Sequence, residues 1–380
     1  MTSYYFDNNA TTRVLPEVLE AMLPWFTEHY GNPSSSHQFG QFAKEALMTA
    51  RAAVAKFLHA SPVEIVFTSG ATESNHMAII SALALHPNRS RIVTSAVEHA
   101  STLRLLDELS RTGIEVIQVP VNAKGELNLI RLKEAVNENT ALVTLMHANN
   151  ETGVIFPIAE VASIAHEKGA LFHTDAAQTA GKIALDVAQI ACDFLSFSGH
   201  KLHAPMGVGV LYVKKGLTAK PLLYGHQERN RRGGTENITG IIGLGVACQL
   251  AQQTMSNANS TIAALRNELE QTVLKTLPFV SANGSEPRVP NTTNLCFTGL
   301  HGEELLHKLN KAGVMASLGS ACTAGGTDPS HVLLAMGLSR EDAFSSLRLS
   351  LSKETTDSEV KMLTQIITQV VTEMRSPVNV

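Results

Sequence analysis

Between residues 64 and 213, short β-rich runs alternate with helical stretches, and this alternation constrains the fold more than any other feature of the chain. The clearest strand segments are 64–67, 91–94, 116–119, 141–145 and 170–173, with 194–197 and 207–213 further on. Strands separated by helical segments predict helices packed on both faces of a mostly parallel sheet, an α/β architecture. Upstream, Phe39, Ala43, Leu47, Ala50, Val54 and Leu58 recur at steps of three and four, the period of one buried helix face. Downstream, the polar run 256–260 reads as a linker. A helix over 261–277, a strand over 293–296, a helix over 303–312, a strand over 347–350 and a helix over 358–374 then predict a smaller α+β unit. No internal repeat or low-complexity tract interrupts this order.

With 380 residues the chain is long enough for two domains. Its 17% of charged residues and 44% of hydrophobic ones fit a soluble globular enzyme. The net charge of -4 gives no general attraction to nucleic acid or to an anionic membrane, so neither is expected as a direct partner. No apolar run approaches the ~20 residues needed to span a bilayer, and residues 1–9 lack the basic start and apolar stretch of a secretory signal. Cys192, Cys248, Cys296 and Cys322 are widely spread without a Cys-x-x-Cys pair. That predicts neither a zinc site nor a disulfide framework and fits a reducing, cytoplasmic location.

Three segments follow strands and carry chemistry. Thr68-Ser-Gly-Ala-Thr-Glu-Ser-Asn75 opens a helix, where free amides beside a glycine form an anion site; taken alone, it reads first as a simple N-cap. It contains neither a mononucleotide nor a dinucleotide glycine pattern, so the expected anion is a lone phosphate. His173-Thr-Asp175-Ala-Ala-Gln178 places a carboxylate at a strand end, the usual position for ligands in such sheets, although a carboxylate there also caps helices. Ser198-Gly-His200-Lys201 ends the next strand with a lysine, which by itself would be an ordinary solvated side chain. Together they supply what pyridoxal phosphate requires: an anion cradle, a carboxylate for the ring nitrogen and a lysine for a Schiff base. Far downstream, Cys322 lies among Gly319, Gly325 and Gly326, surroundings that suit a loop better than a packed core. The other three cysteines sit in apolar contexts and read as packing residues.

Gly-Ala-Thr-Glu-Ser-Asn, His-Ala-Asn-Asn-Glu-Thr-Gly, His-Thr-Asp-Ala-Ala-Gln and Ser-Gly-His-Lys resemble the motifs of class V aminotransferase-fold enzymes. With Gly-Ser-Ala-Cys-Thr, His-Gln-Glu-Arg-Asn-Arg-Arg-Gly-Gly-Thr-Glu-Asn and Ser-Leu-Arg-Leu-Ser, the chain is similar to the NifS/IscS group of cysteine desulfurases from Phe6 to its last helix. The resemblance implies pyridoxal-phosphate fold type I. A seven-stranded, mostly parallel sheet would lie in a large cofactor-binding domain (14–258). Residues 1–13 and 259–380 would form a small domain carrying the cysteine loop.

It also implies roles. Lys201 forms the Schiff base and moves the substrate's Cα proton, Asp175 pairs with the ring nitrogen, and Gln178 meets the ring hydroxyl. His99 covers the ring and assists proton transfer, with a buried core histidine as the alternative reading. Ala71, Thr72, Ser198 and His200 hold the phosphate, joined by Thr235 of a second subunit, which implies a homodimer. Asn150 contributes to both cofactor and substrate sites, and with Arg348 binds the carboxylate of L-cysteine. Cys322 takes the sulfur as a persulfide for an acceptor protein, an iron–sulfur scaffold or another thiolation partner. No metal is expected. A selenocysteine lyase, a zinc hydrolase built on His173, Asp175, His200 and His203, and a cofactor-binding transcription regulator are the competing readings. Met206, Asn230 and Ser352 depart from the family pattern, and the chain's end lacks the longer extension of the IscS type, which leaves the acceptor open.

Overall fold

The computed structural model describes residues 3–319 and 328–376. Its central sheet has seven strands: β2 (Ile65–Thr68), β3 (Arg91–Ser95), β4 (Glu115–Val119), β5 (Thr140–Met146), β6 (Leu171–Asp175), β7 (Phe194–Ser198) and β8 (Gly209–Val213), following β1 (Tyr4–Tyr5). Their order is β2-β8-β7-β6-β5-β3-β4, and β8 alone runs against its neighbours. Every residue of β5, Thr-Ala-Leu-Val-Thr-Leu-Met, is buried. A central parallel strand covered on both faces needs such a run rather than alternation. The sheet also fixes one glycine pair. A Cβ on Gly209, at the start of β8, would lie 2.5 Å from the Cα of Gly70, so the turn after β2 packs backbone on backbone.

A second sheet contains β9 (Val280–Ala282), β10 (Thr292–Phe297) and β12 (Ser346–Ser350), antiparallel in the order β12-β10-β9. β1 pairs in parallel with β11 (Val314–Met315), so the N-terminal segment belongs to this part of the molecule. Phe6, Leu295, Leu347, Leu363 and Ile367 share its separate apolar core.

The run 256–260 is not a linker. One helix, Ile238–Thr276, continues straight through it. The first half of that helix packs Ile241, Leu244 and Cys248 into the core beside the large sheet, while Ile262, Leu265 and Leu269 join the second core. The polar residues mark where the helix passes from one core to the other. They include no glycine or proline to break it, so polarity there signals exposure and not a chain interruption.

The segment Glu228–Asn230 adopts three consecutive positive φ angles, of 48°, 58° and 62°. Asn230, which stands where glycine is common, is the residue type that tolerates this region best after glycine. Glu228 is held by Arg51 at 2.6 and 2.8 Å and by the Phe67 amide at 3.0 Å, all buried. The strained turn is thereby tied to β2.

Candidate active site

The carboxyl ends of β5, β6 and β7 and the second sheet enclose a cavity of about 520 Å³. Every site residue expected from the sequence lines it except Thr235 and Cys322. Cys322 lies outside the described residues. Thr235 is exposed and lines a neighbouring depression with Ser69 and Gly207, two residues that also border the cavity.

Lys201 closes a 3-10 turn directly after β7. Its ammonium donates to the main-chain carbonyls of Asn9 and Ala10 at 2.5 and 2.7 Å. At the end of β6, Asp175 is buried, accepting from Asn75 Nδ2 at 2.6 Å and from the Ala177 amide at 2.9 Å. Each carboxylate oxygen keeps a lone pair for another donor.

Gly70 caps the helix Ala71–Leu85, whose first amides face the cavity without a side-chain cap. Such amides carry the positive end of the helix dipole. Ser198 stands across from them, its Oγ 3.6 Å from where a Gly70 Cβ would be. Glu73 ties this turn to the downstream loop, accepting from the Ser69 amide at 2.8 Å and from Arg232 at 3.0 Å. Burial pushes the Glu73 carboxyl up, but these bonds outweigh it and hold the group below the ordinary glutamate range. Burial, helped by Lys201, drives His200 down to about 4, so it is neutral at physiological pH.

His99 caps the helix Ala100–Arg111, accepting the Ser101 amide on Nδ1 at 3.2 Å. In the neutral ring the proton therefore sits on Nε2. Burial lowers its pKa against the pull of Asp175, with Lys201 and His331 adding to the lowering. Next to it, Glu98 is buried on Ser95 and the Met146 amide, and desolvation raises it to about 8.

Arg348 enters from β12. It donates Nη2 to Asp7 at 2.6 Å and Nη1 to the Asn150 carbonyl at 3.1 Å, while its buried Nε has no partner among the described residues. Arg348 lines the cavity, and its guanidinium suits a ligand carboxylate. Asp7, Asn9, Asn75 and Lys182 are the residues that sequence reasoning missed. Asp7 and Asn9 belong to Phe6-Asp-Asn-Asn-Ala-Thr-Thr12, which carries the resemblance without showing what each side chain touches. Asn75 likewise closes the Gly-Ala-Thr-Glu-Ser-Asn motif, which does not show that its side chain meets Asp175, and no signal in a single sequence points to Lys182.

The zinc alternative fails on geometry. His173 has both ring nitrogens engaged, with Thr144 at 2.8 Å and Ser196 at 2.9 Å, and burial lowers it to about 3. His203 bonds the Arg13 carbonyl, and among the described residues no three His, Cys, Asp or Glu side chains converge. Cys192, Cys248 and Cys296 are buried free thiols whose pKa values burial raises.

An amide cradle, a strand-end lysine, a buried carboxylate and an arginine in one cavity fit pyridoxal phosphate with an amino-acid substrate, the site of a fold type I enzyme. Residues 4–363 match the family described as Aminotransferase class-V, and the chain belongs to it. Within that family it falls in the cysteine desulfurase group. A cysteine desulfurase of Trichormus azollae is 47% identical over 99% of this chain and 94% of its own length. A solved NifS-like protein superposes with a TM-score of 0.92 at 37% identity, covering 98% of this chain and all of the other. A structure described as SspA in complex with cysteine gives a TM-score of 0.81 at 36% identity, over 93% and 100% of the two chains. No helix among the described residues is long and apolar enough to cross a membrane.

Proposed function

We propose that the protein is a pyridoxal-phosphate-dependent cysteine desulfurase, converting L-cysteine to L-alanine and moving the sulfur to Cys322 as a persulfide. The observation that carries this reading is the meeting of Lys201, Asp175 and Arg348 in one cavity. The cofactor supplies an electron-poor ring that stabilises negative charge at the substrate's Cα. Lys201 would anchor it and then carry the substrate's Cα proton. Asp175 would keep the ring nitrogen protonated, Gln178 would meet the ring oxygen, and His99 would cover the ring. Ala71, Thr72, Ser198 and His200 would hold the phosphate, and Arg348 with Asn150 would fix the substrate carboxylate.

Gly319 lines the cavity, and Cys322 follows it three residues later in the sequence. Its thiolate bonds to the substrate's sulfur as the carbon–sulfur bond breaks. The released electron pair stays on Cβ, which takes a proton and becomes the methyl group of alanine. Purified protein loaded with cofactor should release alanine and, with a thiol reductant, an equal amount of sulfide. Sulfide accompanied by pyruvate instead of alanine would point to an eliminating lyase.

Arg348→Lys gives up the planar fork while keeping the charge. Losing a charge-assisted bond of ~1.5–3 kcal/mol should raise KM for cysteine by about 10–100-fold with a smaller change in kcat. An unchanged KM would remove Arg348 from the carboxylate site.

The same reading includes two domains, 14–258 and 1–13 with 259–380, and a homodimer. Leu19, Leu23, Phe26, Tyr30, Phe39 and Tyr224 are all exposed, an apolar set that a second copy would cover. Thr235, exposed beside the cradle, is then free to complete the partner's phosphate site. Sedimentation should show a dimer at micromolar concentration; a fully active monomer would contradict it. We place the enzyme in the cytoplasm, where its buried thiols stay reduced, with an iron–sulfur scaffold or another thiolation protein as acceptor. A mixed-disulfide trap at Cys322 identifies which.

A further inference from the structure

Behind Lys201 lies a second lysine that the mechanism above does not use. Lys182 borders a small cavity on the far side of Lys201, formed partly by the helix Ile238–Thr276. Its Nζ donates to Gln178 Oε1 at 2.9 Å and to Asn9 Oδ1 at 2.9 Å. Gln178 Nε2 donates in turn to the Asn9 main-chain carbonyl at 3.1 Å, the same oxygen that accepts from Lys201 at 2.5 Å. Asn9 is fixed from the other side by Asn291 on Oδ1 and by Thr292 through its own Nδ2.

We propose that Lys182 is a positioning residue for the reaction, which locks the Gln178 carboxamide with its N–H face, and not its carbonyl, available to the cofactor. A carboxamide turned over would set its oxygen against the Asn9 carbonyl and its N–H groups against the Lys182 amine. The contact with the Asn9 carbonyl would be repulsive in either state of the lysine, and the contact with Lys182 would be repulsive whenever the amine is protonated. In the observed orientation one Nε2 hydrogen is used on Asn9, and the other remains for an acceptor in the cavity. This rests on the placement of Gln178 at the ring oxygen.

A lysine here is costly unless it has such a task. Among the described residues it makes no ion pair with a carboxylate. The charged groups nearest it are Lys201 and Arg348, with Lys353 on the small cavity's wall and His203, whose own pKa burial lowers. Desolvation, with Lys201 and Arg348, takes Lys182 well below the ordinary lysine range. Protonated or neutral, the amine still has the two N–H donors that its two acceptors need.

The test is a double-mutant cycle with Lys182→Met and Gln178→Leu, read by visible absorbance of the bound cofactor against pH and by melting of the cofactor-free protein. A ring oxygen deprived of an N–H donor becomes more basic, so the cofactor's absorbance midpoint should rise by about one pH unit in either variant. The double variant should shift no further than Gln178→Leu alone. Melting of the cofactor-free Lys182→Met protein should stay within a few degrees of wild type. Lys182→Gln, which keeps a donor, should lie closer to wild type and provides the comparison if the methionine variant folds poorly. An unmoved midpoint in Lys182→Met beside a shifted Gln178→Leu would leave Lys182 a purely structural role and overturn the inference. Additive shifts would also overturn it, since Lys182 would then act without Gln178. A Gln178→Leu protein with the wild-type midpoint would overturn the placement of Gln178 as well.

Discussion

Lys201→Ala should lose the visible absorption band of the bound cofactor and nearly all turnover, with a fall in kcat of at least about 10²–10⁴-fold. The expected size follows from the double duty assigned to this amine, as covalent anchor and as carrier of the Cα proton. No neighbouring amine takes over. Lys182 is the nearest candidate, and its Nζ is committed to Gln178 and Asn9 on the far side of the Asn9 carbonyl. The fold should survive, because Lys201 donates to main-chain carbonyls of the N-terminal segment, which the backbone holds in place without it. Those carbonyls would lose a donor at a cost of ~1–3 kcal/mol, less where water reaches them. Absorption spectra and alanine release on the purified, folded variant decide the matter. A variant that keeps both the band and turnover would remove Lys201 from the chemistry and the cofactor assignment with it.

The sheet was legible in the sequence because central parallel strands such as β5 are short, mostly apolar, β-rich runs, bounded by helical periodicity. Within the helix Ile238–Thr276, the run 256–260 was misread as a linker before a helix starting at 261, because polarity alone does not break a helix; glycine, proline or a capping pattern does. The residues that line the cavity were legible where the proposed chemistry admits one residue type, as at Lys201, Asp175 and the Gly70–Thr72 turn. What escaped were residues that act through others. Asp7 meets Arg348 across 341 positions of chain, and Asn9 reaches Thr292 across 283. Lys182 is only four residues from Gln178, yet nothing in that spacing says that its amine turns inward. Partnerships of this kind depend on how the two sheets meet around the N-terminal segment, and no local pattern encodes that.

Cys322→Ser separates cofactor chemistry from sulfur transfer. The variant should bind the cofactor as wild type does, since the roles proposed for Lys201, Asp175 and the cradle do not include Cys322. It should also still show cysteine-induced spectral changes, because Arg348 and Asn150 are unaltered. Persulfide formation should stop. A free thiol has a pKa near ~8.5, so a few per cent is thiolate at neutral pH, whereas a serine hydroxyl is almost wholly protonated and a poor acceptor for sulfur. Alanine release coupled to sulfur transfer should therefore fall by more than about 10³-fold. None of the other cysteines can substitute. Cys192 and Cys248 are buried in the core beside the large sheet, and Cys296 is buried on β10 against Asp342, with burial raising all three thiol pKa values. Serine at those positions should leave transfer intact apart from a packing cost, so the four variants form an internal comparison. Mass spectrometry of the protein after one turnover reads the added sulfur directly. If Cys322→Ser still yields alanine and transferable sulfur at the wild-type rate, the acceptor thiol lies elsewhere and the transfer step proposed for this chain is wrong.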